Sequence, residues 1–184
     1  MPYWAWILIA IGIIVLVGVV AWTLVRQRRS ARLRSTFGPE YDRTVDTSGR
    51  RGGESELMDR QKRRENLMIV SLSPPDRQRY SEAWRDTQAR FVDSPEQAIR
   101  EADHLVTQVM RDRGYPMEDF DQRAADVSVD HPNVVENYRA GHSISQENEQ
   151  GKASTEKLRQ AMVHYRALFM ELLEEPEEGV RQTG

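Results

Sequence analysis

Hydrophobic and polar positions fall into three regimes along this chain. Residues 4–25 read WAWILIAIGIIVLVGVVAWTLV, 22 positions without a charge. A helix of about 20 residues, rising ~1.5 Å per residue, spans a ~30 Å hydrocarbon core. The pattern predicts a transmembrane helix over residues 4–25, with Trp4 and Trp6 at one headgroup interface and Trp22 at the other. Residues 26–53 lose the apolar run, and their stretch TVDTSGRRGG at 44–53 is rich in turn formers, which predicts a flexible basic linker. Residues 54–67 become helix-prone again but offer only Leu57, Met58 and Leu67 as apolar positions, so an exposed helix is expected over 54–70.

From residue 71 the apolar positions recur with helical period. Ser73 is placed to cap a helix opening on Pro74, in which Tyr80, Trp84, Thr87 and Phe91 share one face up to about Val92. Ser94 and Pro95 repeat the device for a second helix, with Ala98, Ala102, Leu105 and Val109 inward and Gly114 followed by Pro116 as its stop. A shorter helix is expected from Glu118 to about Asp126, and another opening at Asp130-His131-Pro132 and ending at Gly151. The last, capped by Ser154 or Thr155, carries the widest stripe: Leu158, Ala161, Met162, Tyr165, Leu168, Phe169, Leu172 and Leu173. No β alternation of useful length and no fixed repeat of 20–50 residues is present. The fold class expected is therefore all-α, with one N-terminal transmembrane helix, a flexible basic linker and a soluble bundle of about five helices over residues 71–175. Residues 176–184 read as a frayed tail.

Charge sharpens this division. Of 184 residues, 26 are Lys or Arg and 29 are Asp or Glu, for a formal net charge of −3. Residues 26–64 hold 12 basic and 6 acidic side chains, whereas residues 65–184 hold 14 basic and 23 acidic ones. Arg26, Arg28, Arg29, Arg32 and Arg34 follow the apolar run directly, and nothing basic precedes it, so the positive-inside rule predicts an outside N-terminus and a cytoplasmic soluble domain. Those arginines are expected to face anionic lipid, which would repel the acidic half. A cleaved secretory signal fits less well: the run is too long, lacks a basic leader and has no A-x-A exit. Few aromatics interleave the arginines, which argues against nucleic acid as the partner.

The chemistry available is sparse. There is no Cys, hence no disulfide, thiol nucleophile or Cys-based metal site. No phosphate-binding glycine loop, G-x-S-x-G elbow or calcium-loop spacing occurs, so no cofactor, metal or small-molecule substrate is implied. The densest cluster is Asp126, Asp130 and His131, two carboxylates and an imidazole at a predicted helix start, where acid/base groups can be tuned. The plainer reading is that Asp130 caps the helix and Asp126 is an ordinary acid. His131 and His142 lie 11 residues apart, not on adjacent turns as a helical metal pair would be. In Arg113-Gly114-Tyr115-Pro116, Tyr115 either faces a partner or packs back on the bundle behind a helix stop, and the stop explains the residues better.

The phrases FGPEYDRTV (37–45), PPDRQRYSEAWRDTQARFVDSPEQAIREAD (74–103), VMRDRGYP (109–116), DFDQRAADVSVDHPNVVENYRAGH (119–142) and ASTEKLRQAMVHYRALFMELL (153–173) resemble a widespread family of uncharacterised bacterial proteins, over most of the soluble part. The resemblance implies a bacterial single-span or exported protein and carries over no activity, ligand or catalytic residue. Three functions are expected to compete. The leading one is a non-catalytic interaction module at the bacterial inner membrane, with a lipid bilayer and another protein as partners. The others are an acid/base enzyme using Asp126, Asp130 and His131, and an exported, envelope-facing helical domain.

Overall fold

The structure, a computed structural model, describes the backbone of residues 3–174 and the side chains of residues 16–18 and 20–174. Seven helices are found there: α1 (Tyr3–Phe37), α2 (Pro39–Glu65), α3 (Pro74–Arg90), α4 (Pro95–Asp112), α5 (Phe120–Asp130), α6 (Val135–Glu149) and α7 (Thr155–Leu173). No strand occurs among the described residues. The chain divides into two compact units, Met1–Leu57 and Met58–Gly184.

Two expectations for the first unit are corrected. Among the described residues, no helix is long and apolar enough to cross a membrane. Within the uncharged run, side chains are described only for residues 16–18 and 20–25. The side chains of residues 4–15, on which the rest of that expectation falls, lie outside the described residues, as does the tail at 176–184. The second correction concerns residues 26–53, which are not a flexible linker. α1 continues through the arginines to Phe37, Gly38 (φ 47°) turns the chain, and α2 begins at Pro39.

Polar bonding explains why so hydrophilic a stretch is ordered. The Glu54 carboxylate accepts from Ser30 Oγ at 2.6 Å, Tyr41 Oη at 3.0 Å and Arg50 Nε at 3.2 Å, while Arg50 Nη2 also donates to Ser30 Oγ at 3.0 Å. Burial pushes the Glu54 carboxyl up, but the three donors outweigh it and hold it below its ordinary value. Arg34 pairs with Asp42 and lies over the Tyr41 ring. α2 itself is interrupted at Gly49 (φ 70°, ψ 162°), where the chain turns back on itself. Beyond the break, a Cβ on Gly53 would come within 3.0 Å of Thr44 O, so the absence of a side chain permits the close approach. Leu33, Phe37, Tyr41 and Leu57 are buried, and the exposed helix expected over 54–70 is instead the later part of α2, with Glu54, Leu57 and Arg60 buried.

The second unit is a helical bundle built on α4 and α7. α4 packs against α3, α6 and α7; α7 also packs against α6, which in turn receives α5. The faces are those that the periodicity predicts: Tyr80 and Trp84 on α3, Ala98 to Met110 on α4, and Leu158 to Leu172 on α7 are buried. Trp84 stacks on Phe169 with ring centroids 4.5 Å apart, a geometry that adds to the gain from burying two large rings. Ser73 Oγ accepts from the Asp76 amide at 3.2 Å and Ser154 Oγ from the Lys157 amide at 3.3 Å, so both predicted caps form. Ser94 stands at its predicted N-cap position without a side-chain cap bond.

The helix around Asp126 runs further than its sequence suggests. It starts at Phe120 rather than Glu118, capped by Asp119, which accepts from the Gln122 amide at 2.8 Å, and it continues to Asp130. Asp130 is therefore the last residue of α5 rather than the cap of the next helix, and α6 opens later, at Val135.

Candidate functional site

Asp126, Asp130 and His131 all sit on the last two turns of α5 and its C-cap, yet each side chain is held by different partners. Asp126 is fully buried; its Oδ1 accepts from Gln122 Nε2 at 2.9 Å and lies 3.9 Å from Arg63 Nη1, and its Oδ2 has no hydrogen-bond partner. Loss of solvent is the largest influence on this carboxyl and pushes it above its ordinary value, against the pull of Gln122 and Arg63. Asp130 reaches the other way, with Oδ2 accepting from Arg64 Nε at 2.6 Å and from Tyr115 Oη at 2.8 Å.

His131 is buried between opposite charges. Its Nδ1 lies 3.2 Å from Glu171 Oε1, and its Nε2 lies 3.5 Å from Arg113 Nη1. A guanidinium only donates and a carboxylate only accepts, so the tautomer that serves both contacts has Nε2 unprotonated and Nδ1–H directed at Glu171. That is the neutral imidazole. Burial lowers the His131 pKa from its ordinary value, helped by the nearby Arg113 charge and opposed by Glu171.

Arg113 is the residue that sequence reasoning missed. It is buried to 2% exposure, and besides meeting His131 its Nη1 donates to Leu172 O at 2.9 Å and its Nε to Val70 O at 3.4 Å. The Leu172 carbonyl lies in the last turn of α7, where helix carbonyls lack internal donors and carry partial negative charge, so a cation is suited to it. The Val70 amide donates to Arg113 O at 2.9 Å, tying the segment before α3 to the same point. Tyr115 is buried, which agrees with the stop reading of Arg113-Gly114-Tyr115-Pro116. Its burial beside Asp130 raises the phenol pKa. Sequence supplied one signal for this hub: an arginine directly before a stop glycine and a tyrosine.

A second cluster joins residues far apart in sequence. Asp103 Oδ1 accepts from Tyr165 Oη at 2.6 Å and lies 3.5 Å from His142 Nδ1, while the Phe120 ring stacks on His142 with centroids 3.8 Å apart. Burial would raise the Asp103 carboxyl, but the bonds from His142 and Tyr165 win and hold it below its ordinary value. His142 borders an open depression of about 460 Å³ that also includes Phe120, Arg139 and Ser143. His142 and His131 are thus placed in different networks. Among the described residues, no group of three or more His, Asp or Glu side chains is arranged to hold a metal ion.

Of the residues predicted to face lipid, Trp4 and Trp6 have side chains outside the described residues. Trp22 is 59% exposed with the Arg26 guanidinium 5.5 Å from its ring centroid, and Arg28, Arg29, Arg32 and Arg34 are exposed. Trp22, Arg26 and Arg29 border a groove that Arg51 of α2 completes. Comparison with protein-family models, curated proteins and solved structures finds no match to this chain.

Two of these assignments predict pH and charge behaviour. A His whose folded pKa is depressed adds stability that is complete above its unfolded pKa of ~6.5 and is lost as pH falls through the folded value. The bundle is therefore expected to weaken on acidification below about pH 6.5, and His131→Gln to flatten that limb of a denaturation-versus-pH curve. A curve unchanged by the substitution would refute the assignment. Asp126 has the opposite sign: its raised pKa means that its contribution is complete below ~3.8 and is lost as pH rises through the folded value. Asp126→Asn should leave stability at pH 7 equal to wild type or raise it by about 1 kcal/mol, because a buried, partly unsatisfied charge is removed. Chemical denaturation at pH 7 reads this directly, and a loss above ~1 kcal/mol would contradict it.

Proposed function

We propose that this chain is a non-catalytic helical interaction module of a bacterial plasma membrane, attached to the lipid bilayer through its N-terminal segment and presenting its acidic bundle to a protein partner in the cytoplasm. The observation that carries this reading is the use to which the acid/base groups are put. Asp130 binds Arg64 and Tyr115, His131 lies between Glu171 and Arg113, and Arg113 holds the end of α7, so the cluster nominated for chemistry fastens helix ends together. Support for the bilayer comes from the uncharged residues 4–25 and the arginines that follow them. The bacterial setting rests on the resemblance of the phrases between residues 37 and 173.

Fractionation of cells expressing the tagged chain tests the location. The chain should sediment with membranes and resist extraction by high salt, and a phosphatase fused after residue 174 should be inactive. Recovery in the soluble fraction refutes bilayer attachment, and an active fusion refutes the cytoplasmic placement.

A further inference from the structure

We propose that the first unit carries a built site for a phosphate anion, supplied by the headgroup of an anionic phospholipid and held by Arg26, Arg29 and Arg51. This rests on the reading of bilayer attachment and goes beyond it, because it names particular residues and a ligand chemistry rather than a general pull of basic residues on acidic lipid.

Trp22, Arg26 and Arg29 are spaced four and three residues apart on α1, which places them along one face. From α2, Arg51, Glu54 and Ser55 share a face in the same way. The two faces border one groove of about 430 Å³, within the roughly 300–1,000 Å³ typical of small-molecule sites. Three arginines from two helices therefore border one space, with Ser55 beside them. Guanidinium forks match phosphate oxygens in pairs, so arginine is the residue suited to this anion.

The one acid at the groove does not neutralise it. Glu54 is 6% exposed, and its Oε1 already accepts from Ser30, Tyr41 and Arg50, the last of which offsets its charge. Arg50 and Arg51 thus divide the work: the first, itself largely exposed, pairs with Glu54, and the second borders the groove. Among the described residues, neither Arg29 nor Arg51 forms an ion pair within the protein, whereas Arg34 on the same helix is committed to Asp42. Arg26 lies over Trp22, a ring of the kind that settles at headgroup depth, so the cationic groove opens beside an interfacial anchor. Arg28 and Arg32 are equally exposed on α1 but do not border the groove, and they provide the control.

The test uses the full chain in dodecylmaltoside micelles, titrated separately with short-chain phosphatidylglycerol, short-chain phosphatidylcholine and inorganic phosphate, with bound ligand counted by native mass spectrometry. Wild type should retain phosphatidylglycerol in preference to phosphatidylcholine. R29Q/R51Q should weaken that retention about tenfold or more, and R28Q/R32Q, which removes the same charge, should change it less than about threefold. Circular dichroism confirms that both variants keep wild-type helicity, and R29K/R51K gives an intermediate loss if the guanidinium fork matters. Equal weakening by the two glutamine pairs overturns the proposal, since diffuse charge would explain the binding. So does retention of phosphatidylcholine as strong as that of phosphatidylglycerol. Inorganic phosphate binding as tightly as the lipid keeps the phosphate site but overturns the headgroup as its source. Membrane fractionation is read independently: a chain that sediments with membranes but shows no preference in micelles sinks this inference alone.

Discussion

Gly114→Ala is expected to destabilise the bundle by about 2–5 kcal/mol, because it combines left-handed backbone strain with a steric clash. Gly114 has φ 93°, a conformation that costs a side chain energy whatever the space around it. A Cβ there would also lie 2.5 Å from Met68 O, a backbone atom that cannot swing aside as a flexible side chain would. The crowding arises because residues 68–70 run against the end of α4, where the Val70 amide bonds to Arg113 O. To relieve the clash, that segment must move away and strain the bond. Equilibrium denaturation followed by circular dichroism measures the loss. A change under ~1 kcal/mol would mean that the turn is far more pliant than this geometry implies.

Arg113→Ala should cost about 3–5 kcal/mol, the range for removing one partner from a buried charged network. The substitution deletes the donor to Leu172 O and the contact with Val70 O, and it leaves the Glu171–His131 pair without its balancing cation. It also removes the packed stem of a long side chain. Arg113→Lys should recover only part of the loss, since one ammonium cannot reproduce a fork that reaches the carbonyls of two separate segments. Loss of amide-exchange protection should begin at the end of α7, where Leu172 O is released. If Arg113→Ala unfolds no earlier in denaturant than wild type, the hub is not structural.

Local signals made much of the second unit legible. Ser73-Pro74 and Ser154 announce helix starts through cap chemistry that acts within three residues, and the stripes of α3, α4 and α7 follow from periodicity alone. The errors occur where tertiary bonding overrides local composition. Residues 39–53 are too polar and glycine-rich to read as structured, yet the bonds from Ser30, Tyr41 and Arg50 to Glu54 order them. Asp130-His131-Pro132 imitates a cap followed by proline at a helix start, but burial of Ala124 and Val127 carries α5 on to Asp130, and Pro132 falls beyond its C-cap. The proximity of Asp126, Asp130 and His131 was visible in sequence, whereas their divergence onto Gln122, Arg64 and Glu171 was not. Arg113, 18 residues from His131 and 59 from Leu172, is marked in sequence only by the stop glycine that follows it, and an arginine at the C-cap of a helix is ordinarily solvated. Of the groove arginines, Arg26 and Arg29 are expected from sequence to face lipid, whereas Arg51 carries no such signal, because its place beside them depends on how the chain turns at Gly38 and Gly49.

As proposed, the bundle recognises a protein and performs no chemistry with its Asp/His cluster. Cross-linking of the full chain in bacterial membranes, with wild type and D126N/D130N/H131Q compared quantitatively by mass spectrometry, tests it most directly. One specific protein partner is expected, cross-linked through bundle residues and recovered to the same extent by the folded triple variant. Recovery of no specific partner by the wild-type chain, or loss of the partner in a triple variant that keeps its helicity, would contradict it.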